Sequence, residues 1–74
     1  MKNIHWLGAG LSSIPGIRRL ASNKYHLTVW NRTLSKAQKS IDHVKTDKVY
    51  AKTFNINEIT QTVEQGDIIV SQLT

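Results

Sequence analysis

Residues 2–21 read KNIHWLGAGLSSIPGIRRLA, and this stretch decides the fold. Its opening mixes β-forming and polar side chains and predicts a strand over 2–7, which ends at Gly8. The apolar residues that follow the glycines recur at helical spacing: Ile14, Ile17, Leu20 and Ala21. Pro15 is compatible with the first turn of such a helix, because its missing N–H would have had no helical partner. The stretch therefore predicts a strand, a glycine turn and a helix.

The rest of the chain continues this alternation. We expect three further strands, at 26–30, 49–54 and 67–73. Two further helices are expected at 34–42 and 57–65. Gly66 is expected to end the last helix. Such alternation predicts right-handed βαβ units. The expected fold class is α/β, a truncated Rossmann-like parallel sheet of about four strands in the order 3-2-1-4 with helices on both faces.

Length and charge narrow the classes of function. The chain has 74 residues and no cysteine, which allows one small domain without disulfides or a thiolate metal site. A polar start and short apolar runs predict a cytoplasmic protein that binds no membrane. Residues 1–41 carry a formal charge of +7 and residues 42–74 carry −2, so we expect an anion to meet the first half. Nucleic acid and a phosphorylated cofactor both fit that charge.

The glycine turn is the first candidate binding element. A strand, Gly8-Ala9-Gly10 and a helix, in that order, form the arrangement that binds a pyrophosphate. Gly8 permits the tight turn, Gly10 lets the backbone approach the phosphates, and the helix N-terminus offers free N–H groups. Ser13 replaces the usual third glycine, at the position where the helix packs on the strand; serine is small enough to be tolerated there, and a helix N-cap is its alternative role. An ordinary strand-to-helix turn is the alternative interpretation.

The second candidate element is Asn31-Arg32-Thr33, and Asn31 lies 21 positions after Gly10. At this distance the end of the second strand meets the adenosine ribose in a dinucleotide fold. An acidic residue would select NAD, whereas Asn31 and Arg32 favour NADP. Arg32 is expected to make a forked contact with the 2′-phosphate, while Asn31 and Thr33 add neutral hydrogen bonds. The alternatives are an exposed Arg32 without a ligand and a helix-capping Thr33.

Residues 4–15, with Arg32-Thr33, resemble the N-terminus of the saccharopine dehydrogenase (saccharopine reductase) family, where an LGAG-type turn and an early proline open an NADP(H)-binding domain. Ser71-Gln72-Leu73 resembles the end of that family's fourth strand, although Gln72 and Thr74 depart from its pattern. The resemblance covers the whole chain. It implies an oxidoreductase of amino-acid metabolism that acts on a C–N bond. The expected cofactor-binding residues are Gly8, Ala9, Gly10, Leu11, Ser12, Ser13, Asn31, Arg32, Thr33, Ser71, Gln72 and Leu73.

Two alternatives stay open. Residues 29–36 also resemble the β-hydroxyacid dehydrogenase family, which uses NADP at an Asn-Arg-Thr turn, although Ser12-Ser13 replaces its usual Met-Gly. A basic nucleic-acid-binding module is the second alternative. Such modules interleave aromatic and basic side chains or present a recognition helix, and the chain shows neither pattern. We therefore expect NADP(H) as the partner and no nucleic acid.

Catalytic and metal-binding groups are not expected within the chain. His5, His26 and His43 are 21 and 17 positions apart, which is unlike a zinc site. The acidic residues fall at helix ends and turns, where solvation and capping explain them, and both tryptophans are expected in the core or cleft wall. Residues 1–74 are thus expected to be the N-terminal part of a dinucleotide-binding domain, inactive alone. We expect the catalytic domain, which takes the amino-acid substrate, to be absent, and self-association through the fourth-strand edge.

Overall fold

The described residues form a four-stranded parallel sheet with three helices. The computed structural model describes residues 2–8, 14–21, 24–42, 44 and 47–72. The elements in these ranges are β1 (Lys2–Leu7), α1 (Ile14–Leu20), β2 (Tyr25–Asn31), α2 (Leu34–Ile41), β3 (Val49–Thr53), α3 (Ile56–Thr62) and β4 (Ile68–Ser71). The strand order is β3-β2-β1-β4 with every pairing parallel, which confirms the predicted order 3-2-1-4.

One face of the sheet carries an apolar core beneath α1 and α2, and we call it the α1/α2 face. Strand alternation directs Ile4 and Trp6 of β1 to the same side as the Leu27 and Val29 that stand opposite them in β2. Ile17 of α1 and Ala37 of α2 complete this cluster of buried side chains. Burying a large apolar side chain contributes about 1.5 to 3 kcal/mol, so this layer stabilises the domain.

The opposite face, which we call the α3 face, carries polar and aromatic side chains. Lys52 of β3 stands opposite Trp30 of β2, and its Nζ lies 3.0 Å from Oε1 of Glu58 in α3. Ile59, one residue further along α3, is buried but does not belong to the core cluster of the other face. Helices therefore cover both faces of the sheet, as the sequence predicts.

The third helix ends earlier than its sequence pattern predicts. α3 stops at Thr62, and Val63 already has an extended backbone with φ −69° and ψ 129°. The chain then closes a turn in which the Asp67 N–H donates to the Glu64 carbonyl at 3.0 Å. The expectation that Gly66 stops the helix is wrong, because Gly66 adopts its positive φ of 93° inside this later turn.

The fourth strand is more exposed than its apolar sequence predicts. Ile68 is 41% exposed and Ile69 is 51% exposed, although a run of this kind is typical of a strand buried on both sides. The reason is the position of β4, which pairs with β1 and has no second neighbour within the described part of the chain. Among the described helices, none is long and apolar enough to cross a membrane.

Candidate functional site

The carboxyl ends of β1, β2 and β4 lie side by side at one edge of the sheet. Leu7 stands opposite Trp30 on one side and opposite Ser71 on the other. Two hydrogen bonds continue the pairing past the strand ends: Gly8 N–H donates to Trp30 O at 2.7 Å, and Gln72 N–H donates to Leu7 O at 2.8 Å. Open parallel sheets bind their ligands at this edge, so the edge is the candidate site.

Gly8 directly follows the end of β1. It is buried and has a φ of 96°, in the left-handed region that side chains disfavour, which is a conformation that a tight turn requires of glycine. The rest of the predicted glycine turn, residues 9–13, lies outside the described residues, as does Leu73. The described part of this half of the site therefore consists of Gly8 and the neighbouring end of β4, Ser71 and Gln72.

The turn after β2 contains two side chains, those of Arg32 and Thr33, that make no hydrogen bond within the described part of the chain. Asn31 is half-buried, and its Nδ2 donates to the Thr33 carbonyl oxygen at 3.1 Å, which holds the turn. Thr33 occupies the N-cap position of α2, but its hydroxyl makes no capping hydrogen bond. Arg32 is exposed, and its guanidinium has no partner among the residues that the structure describes. The Arg32 and Thr33 side chains are thus available to a ligand.

The electrostatics of this edge favour a phosphorylated ligand. The first turn of α2 contains Lys36 and no acidic residue, and the helix N-terminus adds a partial positive charge. Because residues 1–41 contain no Asp or Glu, neither the turn after β1 nor the turn after β2 carries a carboxylate that would repel phosphate. The residues present therefore fit a phosphorylated dinucleotide.

Gly16 has a packing role that the spacing of the glycines does not reveal. A Cβ built on Gly16 would lie 2.7 Å from Cη2 of Trp6, so only glycine lets α1 lie this close to β1. The available signal was the glycine itself, because an interior helical glycine costs about 1 kcal/mol relative to alanine and is usually kept for a packing reason.

A buried polar chain on the α3 face was also missed. Trp30 Nε1 donates to His5 Nδ1 at 3.3 Å, and His5 Nε2 lies 3.1 Å from Oδ2 of Asp67. Asp67 therefore does more than hold its turn, in which its Oδ2 accepts the Glu64 N–H at 2.9 Å: it also contacts the buried His5. This backbone hydrogen bond is the main reason that the Asp67 pKa is lowered; partial burial opposes the effect, and His5 and Asn3 add to it. Both tryptophans are buried, as expected.

The fold and the edge define a class of protein, the Rossmann-like α/β domains that bind ligands at the carboxyl ends of their strands. Residues 1–74 match the family described as Shikimate / quinate 5-dehydrogenase, and the chain belongs to that family. No curated protein and no solved structure matches the chain significantly. Membership confirms the coarser prediction, an oxidoreductase nucleotide-binding portion, and does not single out the saccharopine type.

Proposed function

We propose that residues 1–74 form the NADP(H)-binding portion of an oxidoreductase. The observation that carries the proposal is the exposed Arg32, which lies between the half-buried Asn31 and the start of α2 and has no side-chain partner among the described residues. A guanidinium in this position matches a phosphate by forked, charge-assisted hydrogen bonds. The family match supports a nicotinamide nucleotide as the cofactor. When bound, this cofactor supplies the hydride, and the protein supplies position and charge.

The described residues divide the binding task. Arg32 and the Thr33 hydroxyl, which makes no capping hydrogen bond in the described structure, bind the 2′-phosphate, and Asn31 holds the turn beside the ribose through its bond to the Thr33 carbonyl. Gly8 permits the tight turn and Gly10 the close approach to the pyrophosphate, which these two residues bind together with Ala9, Leu11, Ser12 and Ser13. Ser71, Gln72 and Leu73 line the cofactor from the neighbouring strand end, where the Gln72 N–H already binds Leu7.

The chemistry of the substrate has two candidates. The resemblance to saccharopine dehydrogenases favours a C–N bond in an amino-acid substrate, whereas the name of the matched family favours oxidation of an alcohol, as does the resemblance to β-hydroxyacid dehydrogenases. We retain the amino-acid substrate as the proposal and place its binding groups outside residues 1–74. Assay of a protein that carries this domain with amino-acid and hydroxy-acid substrates separates the two.

Replacement of Arg32 by alanine tests the cofactor assignment. We expect Arg32→Ala to weaken NADPH binding by about 1.5 to 3 kcal/mol, the contribution of a hydrogen bond to a charged group, and to leave NADH binding nearly unchanged. Calorimetric titration with each cofactor measures both affinities.

Arg19→Ala is the matched control. It removes the same charge from an exposed position in the last turn of α1, a helix that runs back toward the opposite edge of the sheet. We expect this variant to keep the wild-type preference for NADPH. Equal losses for both cofactors in Arg32→Ala would contradict the phosphate role, and a wild-type chain that binds neither cofactor would contradict the function itself.

A further inference from the structure

Three buried polar side chains cross the α3 face from the end of β2 to the start of β4. Trp30 is fully buried, and the side chains of His5 and Asp67 are 2% and 7% exposed. The two bonds that join them measure 3.3 Å between Trp30 Nε1 and His5 Nδ1, and 3.1 Å between His5 Nε2 and Asp67 Oδ2. Burial of Trp30 and His5 to this extent limits the replacement of a lost partner by bulk water, so the bond between them depends on how the partly buried Asp67 orients His5.

The chemistry of the groups determines the direction of each bond. An indole N–H only donates, so His5 Nδ1 must accept and carries no proton. The neutral imidazole then holds its single proton on Nε2, which donates to the Asp67 carboxylate. The hydrogen bond from Glu64 lowers the Asp67 pKa, and the carboxylate therefore stays ionised and accepting at neutral pH. Asp67 in this way selects the tautomer of His5 that can receive Trp30.

Trp30 connects the two turns of the cofactor site. Its carbonyl oxygen accepts the N–H of Gly8 at 2.7 Å, and it directly precedes Asn31. Anchoring the indole on one side therefore steadies the backbone from which both the glycine turn and the Asn31 turn depart. Small displacements of these two turns would weaken cofactor binding, because binding residues must be held close to their productive geometry.

We propose that Asp67 is a positioning residue of the cofactor site. It accepts a hydrogen bond from the His5 Nε2–H, which leaves Nδ1 unprotonated and able to accept the Trp30 indole N–H. The anchored indole then holds the backbone from which both turns depart. This inference rests on the proposed function, because the site that it positions is the NADP(H) site. Asp67 itself lies at the start of β4, at the opposite end of the strand from the cofactor edge, and acts only through His5 and Trp30.

Nitrogen-15 NMR of the histidine side chains tests the first step directly. We expect His5 of the wild-type chain to be protonated on Nε2 and unprotonated on Nδ1. We expect Asp67→Ala to shift His5 toward the other tautomer, and Asp67→Asn to retain the wild-type tautomer because its amide oxygen still accepts. A wild-type His5 that carries its proton on Nδ1 overturns the proposal, whatever the variants do.

A double-mutant cycle with NADPH titration tests the second step. We expect Asp67→Ala to raise the NADPH Kd about 5- to 10-fold, the effect of losing one buried hydrogen bond, and Asp67→Asn to change it less than about 2-fold. Trp30→Phe keeps the ring but removes the donor. In that background we expect Asp67→Ala to have little further effect, since the tautomer no longer matters.

The cycle also separates positioning from a merely structural role. Loss of the Asp67 bond to Glu64 is common to both backgrounds and cancels in the comparison. Asp42→Asn, an exposed change of the same charge at the end of α2, controls for the general field and should leave Kd unchanged.

The inference alone is overturned if Asp67→Ala raises the NADPH Kd equally in both backgrounds. It is also overturned if the Asp67→Asn variant binds NADPH as weakly as Asp67→Ala. A wild-type chain that does not bind NADPH overturns both the proposed function and the inference.

Discussion

The two faces of the sheet contain one tryptophan each, and the two rings are held in different ways. On the α1/α2 face, Trp6 packs against Gly16, and its buried indole N–H has no hydrogen-bond partner in the described structure. On the α3 face, Trp30 donates to His5, and Lys52 Nζ lies 5.5 Å from the centre of its ring. The comparison shows that one face stabilises by shape and burial, while the other holds its groups in position by directional bonds.

The largest expected effect concerns apolar burial. Leu27 is fully buried in the core of the α1/α2 face, and we expect Leu27→Ala to cost about 3 kcal/mol, within the range for large-to-small core changes. Ile69 on the α3 face is 51% exposed, so Ile69→Ala should cost less than about 1 kcal/mol. Urea denaturation of both variants measures the difference. Equal losses in the free energy of unfolding would contradict this contrast between the faces, because the α3 face would then contribute as much through apolar burial as the α1/α2 face.

The next effect concerns the close approach of α1 to β1. The Cβ of Gly16→Val would lie 2.7 Å from the buried Trp6 ring, and we expect overpacking to cost about 2 kcal/mol. Gly66→Ala is the control: a Cβ there meets open space, and only the positive φ of 93° opposes it, at about 1 kcal/mol. Thermal unfolding should rank the variants in that order. A Gly16→Val protein as stable as wild type would show that the ring can move aside.

The smallest effect concerns pH and the α3 face. Since the pKa of Asp67 is lowered below its ordinary value of 3.8, its ionised form stabilises the fold above that value, and this contribution is lost as the pH falls through the folded-state pKa. We expect the melting temperature of wild type to approach that of Asp67→Asn below about pH 4 and to exceed it near neutrality. Melting curves between acid and neutral pH check this. A difference in melting temperature that stays constant with pH would show that ionisation of Asp67 does not contribute to the stability.

Local patterns in the sequence were enough to predict the order of the elements, the positive-φ glycine after β1 and the turn after β2. Apolar periodicity marks strands and helices within a few residues of one another, and the positions of Gly8 and Arg32 at strand ends follow from that order. The parallel alternation then predicts the strand order, because crossovers of one hand allow few arrangements. The end of α3 was missed because the turn that holds Asp67 competes with the helix.

Only the tertiary structure decided which groups touch. His5 and Asp67 are 62 positions apart in the chain, and they meet because the crossover through α3 returns β4 to the side of β1. The contact of Gly16 with Trp6 and the exposure of β4 likewise depend on how whole elements pack. Hydrogen bonds and steric contacts change over a fraction of an ångström, and the pattern of residues along the chain does not encode distances on that scale.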